Sequence, residues 1–116
     1  MATRMTPRPA SPAATEALSK LRRLALTFDR VGETLPFGNP TFNVGKRAFA
    51  VLDRYKGIDC LWLRVDPMER NSLLGQEGWF AAPYDPRKQA LCVELAAIDW
   101  RRIRPLLRIS YWLAAS

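Results

Sequence analysis

Hydrophobic residues change their spacing along the chain, and this change predicts two terminal helices around a set of strands. Near the N-terminus they recur every three or four positions, at Ala14, Leu18, Leu21, Ala25 and Phe28. That spacing places them on one side of a helix over residues 12–29, with Ser11 as its N-cap. A second helix is predicted after Asp99, and Pro105 is expected to kink or restart it. Its inward positions are Ile103, Leu106, Leu107, Ser110 and Leu113.

Between these helices the hydrophobic period is two, which predicts β-strands. Strands are expected over 41–44, 47–55, 58–65, 79–82 and 90–95. A short helix is predicted after the third strand, since Asp66 suits an N-cap, Pro67 the first helical position and Glu69 the third. The core face of the last strand carries Leu91, Val93 and Leu95.

The Gly45-Lys46 pair predicts a two-residue hairpin turn, because glycine suits the first position of a type II′ turn. This turn would pair Val44 with Arg47 across the two strands. It would also pair Phe42 with Phe49, a favourable aromatic contact on the core face.

The next hairpin, around Lys56-Gly57, raises a question of register. Alternation puts Val51 on the core face, together with Leu61 and Leu63. A two-residue loop would instead pair Val51 with Trp62 and break this match. We therefore expect a longer loop or a β-bulge at this turn.

These elements predict an α+β two-layer sandwich, an antiparallel sheet of about five strands with the N- and C-terminal helices on one face. Residues 12–116 would form one domain, preceded by a flexible tail over 1–11 that contains prolines. The opposite face of the sheet would carry Ala48, Ala50, Leu52, Cys60, Trp62, Arg64, Cys92 and Glu94. That face is either covered by loops or the tail, or it is a ligand or partner surface with Arg64 and Glu94 as an ion pair.

The composition argues against catalysis. The chain has no histidine, which removes Ser-His and Cys-His nucleophiles and the usual general base at neutral pH. Cys60 and Cys92 lack metal-ligand or redox spacing and are expected to be buried free thiols. We expect a protein that is not an enzyme and uses no metal or cofactor. Because no membrane-spanning run or secretory signal is visible, we also expect a cytoplasmic protein that does not bind membranes.

The formal net charge of +7 favours anionic partners, nucleic acid above all. Basic pairs fall at three predicted turns, where long side chains can reach phosphates. The pairs are Lys46 and Arg47, Arg54 and Lys56, and Arg87 and Lys88. Tyr55 and Tyr84 lie near them and could stack on bases. Charged residues at hairpin tips often serve solubility alone. The alternative to nucleic-acid binding is therefore that these basic turns are ordinary solvated surface.

The chain also resembles the MmcQ/YjbR-like family. The segments that carry the resemblance are LPFGNPTFNVGKRAFA (35–50), LRVDP (63–67), APY (82–84) and ISYWLAA (109–115). The resemblance implies a CyaY-like α+β sandwich, and family members are often described as DNA-binding through a double wing of hairpins. Those wings would correspond here to the Gly45-Lys46 turn and the 83–89 loop.

Two features differ from the family pattern. Gln89-Ala90-Leu91 stands where the family usually has Gly-Trp, so a stacking role at that position is not expected. The iron binding of CyaY itself needs an acidic ridge on the first helix. That helix is basic here, so iron binding is not expected; its basic residues are Lys20, Arg22, Arg23 and Arg30.

Two functional hypotheses follow from the sequence. The first is a DNA-binding protein whose basic turns contact phosphates without strong sequence preference. The second is a ligand- or protein-binding module that uses the open sheet face, through Trp62, Arg64 and Glu94, or a corner between Asn39 and Tyr84.

Overall fold

The computed structural model describes residues 11–116, and the predicted flexible tail lies outside them except for Ser11. Three α-helices and six β-strands occur in this part of the chain. The helices are α1 (Pro12–Ala25), α2 (Pro67–Leu74) and α3 (Trp100–Ala115). The strands are β1 (Val31–Thr34), β2 (Thr41–Val44), β3 (Arg47–Tyr55), β4 (Ile58–Arg64), β5 (Trp79–Ala81) and β6 (Ala90–Glu94).

All six strands form one antiparallel sheet in the order β1-β2-β3-β4-β6-β5. Helices α1 and α3 pack on the same face, since Leu21 and Leu107 share one buried cluster with Leu61 of β4. Helix α2 buries Leu73 beside Leu91 in a smaller cluster. The predicted α+β sandwich is confirmed, with one strand more than expected.

The additional strand, β1, has no alternating signal in the sequence. Only Val31 is partly buried among its residues. Helix α1 ends at Ala25, earlier than predicted, and Arg30 leads into β1 with a left-handed φ of 57°. Glu33 of β1 then pairs with Arg22 of α1 at 2.7 Å. The edge strand is thus attached to β2 by backbone pairing and to the helix layer by an ion pair.

A β-bulge in β3 sets the register of the sheet. The two-residue turn at Gly45-Lys46 is confirmed, with Gly45 at a φ of 61°. Farther from the turn, Phe42 pairs with Ala50 rather than with Phe49, so the predicted Phe42–Phe49 pair was wrong. Phe49 is the extra residue of the bulge, because β3 has one more residue than β2 between the paired positions.

Beyond the bulge, each side chain of β3 points to the opposite side of the sheet from the one that simple alternation predicts. Ala50 and Leu52 are buried in the core beneath the helices, although alternation had placed both on the opposite face. Val51 pairs with Trp62 on that opposite face, and the Lys56-Gly57 loop is the tight two-residue form. The expected longer loop at this turn was wrong, because the correction of register occurs in the preceding hairpin.

Ser110 of α3 binds the backbone groups that the bulge leaves without a ladder partner. Its hydroxyl donates to the carbonyl oxygen of Phe49 at 2.6 Å and accepts from the backbone N–H of Arg64 at 2.9 Å. The Nε of Arg64 donates to the carbonyl oxygen of Ala48 at 2.7 Å. Ser110 is fully buried, so α3 holds the bulge and the end of β4 together.

Helix α3 continues across Pro105 as one element, so the predicted restart does not occur. Tyr111, which the sequence pattern did not place inward, donates its hydroxyl to the carbonyl oxygen of Asp29 at 2.7 Å. Its ring stacks on Phe28 with centroids 4.8 Å apart, which fixes the segment after α1. The buried residues of α3 are Ile103, Leu107, Ser110, Tyr111 and Ala114. No helix found between residues 11 and 116 is long and apolar enough to cross a lipid bilayer.

Candidate nucleic-acid interface

The antiparallel sheet divides the predicted basic residues between its two ends. Strand β3 runs from the Gly45-Lys46 turn to the Lys56-Gly57 turn. Its nine residues separate the two turns by roughly 27 Å. The β5–β6 loop, residues 82–89, lies at the Gly45-Lys46 end, because the last residue of β4 pairs with the first residue of β6. We call this the basic end; its cationic residues are Arg30, Lys46, Arg47, Arg64, Arg70, Arg87 and Lys88.

A cavity of about 420 Å³, here called the basic cavity, opens at the basic end. Five cationic side chains line it, and its other lining residues carry no charge. The cations are Arg47, Arg64, Arg70, Arg87 and Lys88, and the remaining lining residues are Val65, Pro67, Gln89 and Leu113. Like charges gathered around a concave site attract an anion.

Three of these arginines are held in place by backbone carbonyl groups. Arg47 donates to Ser116 at 3.0 Å, Arg64 to Ala48 at 2.7 Å and Arg70 to Ala90 at 2.9 Å. Arg64 also lies over the ring of Trp62, 5.6 Å from its centroid. Each guanidinium uses one N–H for its carbonyl and keeps the others for a ligand.

The electrostatic environment of Arg64 reflects its burial first and the neighbouring charges second. Burial lowers the pKa of its guanidinium, Arg47 lowers it further, and Asp85 acts in the opposite direction. Arginine nevertheless stays protonated in proteins. The carboxylate of Asp85 accepts the backbone N–H groups of residues 89 and 90, at 3.0 and 2.8 Å. Asp85 therefore fixes the end of the 82–89 loop and does not line the cavity.

The structure brings together half of the predicted phosphate-binding residues. Those that line the basic cavity are Arg47, Arg87 and Lys88. Lys46 lies beside it at the tip of the β2–β3 turn, in a depression that it shares with Arg47. Arg64 had been assigned to the alternative surface, and Arg70 had not been predicted at all. No local spacing could have indicated Arg70, because its place depends on α2 lying against the start of β6.

The remaining predicted residues, Arg54, Tyr55 and Lys56, lie at the opposite end of the sheet. Arg54 pairs with Asp59 at 2.9 Å, and the hydroxyl of Ser11 donates to the other oxygen of that carboxylate at 3.0 Å. Lys56 lies over the ring of Tyr55, 5.4 Å from its centroid. These side chains cannot reach an anion in the basic cavity.

Tyr84 extends from the 82–89 loop into solvent, with 97% of its surface exposed and a left-handed φ of 57°. Phe37, like Tyr84, follows a proline, is 93% exposed and has a φ of 54°. Such a backbone costs a non-glycine residue about 1–2 kcal/mol, and such strain concentrates at functional sites. Asn39 precedes β2, three strands away from β6, so Asn39 and Tyr84 do not form one corner.

The outer face, which is the side of the sheet away from α1 and α3, carries a small hydrophobic cluster. Its members are Cys60, Ala82, Ala90 and Cys92, with Trp62 and Phe80 partly buried against them. Both cysteines are buried free thiols, as predicted. A hydrogen bond with Cys60 and burial raise the pKa of the Cys92 thiol, which keeps it protonated and unreactive. Within residues 11–116, no three metal-binding side chains are grouped as a metal site.

The predicted Arg64–Glu94 ion pair was wrong. Register places Glu94 opposite Cys60 and Arg64 opposite Ala90, which separates the two charged residues by roughly 13 Å along the strands. Arg64 instead lines the basic cavity. The outer face therefore lacks the charge pair that the sequence suggested.

A second basic groove, also of about 420 Å³, lies between α1 and α3. It is lined by Lys20, Arg23, Leu24, Trp100, Arg101 and Arg104. Two of its cations have acidic partners, Lys20 with Glu16 at 3.1 Å and Arg101 with Asp99 at 3.7 Å. None of the five cations of the basic cavity forms an ion pair with the described residues. The basic cavity is therefore the stronger candidate for an anion-binding site.

Together, the fold and the basic cavity define a small α+β protein whose antiparallel sheet gathers positive charge at one end. The YjbR family model matches residues 26–113. The chain belongs to the YjbR family, which confirms the resemblance indicated by its motifs. No curated protein matches the chain.

The solved structures that share the fold include the following two. A Deinococcus radiodurans protein with a DUF419 domain is similar with a TM-score of 0.71 and 26% identity, covering 83% of this chain and 76% of that one. A Pseudomonas syringae protein is similar with a TM-score of 0.71 and 16% identity, covering 86% of this chain and 97% of that one. At the lower identity the likeness shows the fold alone.

Proposed function

We propose that the protein binds nucleic acid, duplex DNA in the first place, through phosphate contacts at the basic end. The observation that carries this proposal is the convergence of five cationic side chains on one cavity that no carboxylate lines. Lys46 extends the positive surface along the β2–β3 turn. Phosphate contacts supply most of the affinity of sequence-tolerant DNA binding, so this charge distribution suits that role.

Binding of this kind would depend on charge rather than on base sequence. The helix nearest the cavity, α2, has Asp66 as its N-cap and Glu69 in its first turn, so its beginning is not a basic recognition surface. We expect the logarithm of the affinity to fall with the logarithm of salt concentration by about 0.9 per phosphate contact. The proposal assigns no catalytic step. It includes a cytoplasmic location, which the two reduced thiols fit.

A triple variant, Arg47→Ala/Arg87→Ala/Lys88→Ala, tests the proposal. We expect it to bind duplex DNA about 100-fold more weakly and to lower the salt slope by about three, because it removes three phosphate contacts. Fluorescence anisotropy with a labelled duplex, titrated between about 50 and 200 mM salt, measures both quantities.

The matched control for that experiment is Arg54→Ala/Lys56→Ala, which removes two positive charges from the opposite end of the sheet. Its affinity should stay within about threefold of the unmodified protein, since exposed charges more than a Debye length from the site are largely screened. Losses in proportion to the number of charges removed, three against two, would show that only the net charge matters, and the basic end would then not be the interface.

A second candidate is a protein- or ligand-binding module at the outer face. The observation that favours it is that Trp62 and Phe80, which cover the buried cluster around Cys60 and Cys92, are themselves only partly buried and leave aromatic surface exposed. Val51→Glu, which puts a charge on this face, should then disturb self-association or ligand capture. If light scattering and binding assays gave unchanged results for this variant, the candidate would be rejected.

A further inference from the structure

We propose that the basic cavity is a site for a terminal phosphate monoester, carried by the end of a nucleic-acid strand or by a free nucleotide. The proposal rests on the nucleic-acid binding proposed above and narrows it to one chemical group. Internal phosphates of a duplex would contact the exposed cations at the rim of the cavity, together with Lys46, and the terminal monoester would enter the cavity; the rim cations are Arg47, Arg87 and Lys88. Three properties of the cavity support the proposal: its shape, its fixed donors and its charge.

The shape of the basic cavity suits a strand end better than an internal stretch of duplex. Its volume of about 420 Å³ lies in the usual range of small-ligand pockets, about 300–1,000 Å³. A nucleotide-sized group fits such a space. The backbone of a duplex lies on the outside of a rod that is wider than the cavity, so its internal phosphates stay at the rim.

The donors in the cavity are fixed before any ligand arrives. Arg64 is held between the carbonyl of Ala48 and the ring of Trp62, and Arg70 is tied to the carbonyl of Ala90. A guanidinium offers parallel N–H groups that match two oxygens of a phosphate. Because a monoester has three terminal oxygens and an internal diester has two, several converging guanidinium groups favour the monoester.

The charge of the cavity also favours a dianion. The charged groups that face it are Arg47 from β3, Arg64 from β4, Arg70 from α2, and Arg87 and Lys88 from the 82–89 loop. Asp85 of the same loop is engaged by backbone N–H groups, and α3 contributes only Leu113. A phosphate monoester carries a charge of about −1.5 to −2 at neutral pH, with a second pKa of about 6. It therefore balances this cluster better than a diester of single charge.

Tyr84 would contact the nucleic-acid strand next to its terminal phosphate. It lies in the loop that carries Arg87 and Lys88, and its ring is almost wholly exposed. A terminal base could stack on this ring, and base–aromatic stacking contributes about 1–3 kcal/mol in single-strand binding. The strained backbone of Tyr84 then has a functional reason.

The test compares two oligonucleotides of the same sequence, labelled at the 3′ end, one with a 5′-phosphate and one with a 5′-hydroxyl. We expect the phosphorylated strand to bind about tenfold more tightly near pH 7.5, and the preference to become smaller near pH 5, where the monoester loses its second charge but keeps its first. Since the chain has no histidine, the phosphate is the group that titrates across this range. Inorganic phosphate and a mononucleotide serve as competitors. If the mononucleotide displaces the labelled strand, the cavity is a site for free nucleotides. If it does not, the cavity is a site for the end of a strand.

The variant Arg87→Gln/Lys88→Gln should abolish the preference, and the control Arg54→Gln/Lys56→Gln should keep it. The first pair is chosen because neither side chain hydrogen-bonds to the described residues, so folding should be unaffected, as circular dichroism would verify. Equal binding of both strands at both pH values, with duplex binding intact, overturns the terminal-phosphate site and leaves the proposed function standing. Absence of binding to the strands and to duplex DNA overturns both.

Discussion

Replacement of Gly78 by alanine is expected to destabilise the protein by about 3 kcal/mol, the largest single effect that its backbone geometry predicts. Gly78 precedes β5 with a φ of 86°, a conformation that strains any residue with a Cβ. A Cβ at this position would also lie 2.4 Å from the Cβ of Ala97, so the two segments would have to move apart. The carbonyl of Gly78 accepts the N–H of Glu94 at 2.9 Å, and that contact would be disturbed.

Gly57→Ala is the matched control for this prediction. Gly57 has a similar φ of 81°, but a Cβ there would meet no atom within 4 Å. Gly57→Ala should therefore lower the free energy of unfolding only by the backbone strain, less the stabilisation that alanine gives by reducing the entropy of the unfolded chain. The net loss should be about 1 kcal/mol. Urea denaturation of both variants isolates the contribution of the clash, and Ala97→Gly should recover part of the loss in Gly78→Ala. Equal losses at Gly57 and Gly78 would contradict the prediction.

Replacement of Ser110 by alanine is expected to lower the free energy of unfolding by about 2–3 kcal/mol. The hydroxyl bridges the carbonyl of Phe49 and the N–H of Arg64 in a fully buried position. Alanine would leave both backbone groups without this partner, and each buried unsatisfied group costs about 1–3 kcal/mol. Since the change removes a single oxygen, the lost hydrogen bonds dominate the effect rather than lost packing.

Ser72→Ala provides the comparison for Ser110→Ala. Ser72 lies on the exposed side of α2, so its replacement should change stability by less than about 0.5 kcal/mol. Thermal and urea unfolding of the two variants measure the difference. If Ser110→Ala were as stable as Ser72→Ala, the bulge would have to be satisfied in another way, for example by water. A preserved DNA affinity in Ser110→Ala at low temperature would show that the residue supports the fold alone.

The features that the sequence predicted correctly depend on local chemistry. Each helix begins after a side chain that caps it, and the caps bind the nearby backbone N–H groups that such residues normally bind. The three caps are Ser11, Asp66 and Asp99. The Gly45-Lys46 turn and the core positions Leu91 and Val93 of β6 are likewise set by neighbouring residues, through a left-handed glycine and alternation, whereas Leu95, predicted on the same face, lies just beyond the strand.

The bulge could not be predicted because alternation allows either phase in β3. Phe49, Ala50, Val51 and Leu52 are all apolar, so the strand shows no polar position that would fix which side faces the helices. The bulged carbonyl is bound by Ser110, which is 61 residues away along the chain, so no local pattern contains this contact. Strand β1 was missed for a related reason, since three of its four residues are exposed.

The basic residues of the site were largely predictable, but their arrangement was not. Turn chemistry identified Arg47, Arg87 and Lys88 as exposed cations. Their convergence depends on the strand order β4-β6-β5, which brings the 82–89 loop beside the end of β4. The same order places Arg64 in the cavity and away from Glu94. Long-range pairing therefore decided the gain of Arg64. Arg54 and Lys56 are away from the site because two consecutive turns of an antiparallel sheet lie at opposite ends of the strand between them.

The bulge at Phe49 has a consequence for comparing this chain with its relatives. A relative with a regular hairpin in place of the bulge would have one residue fewer in β3, and a correct alignment would then contain a one-residue gap at this position. Closing that gap would match inward residues of one protein with outward residues of the other along the rest of the strand. A relative with a serine at the position of Ser110 is expected to keep the extra residue, since that hydroxyl binds the bulged carbonyl in this chain.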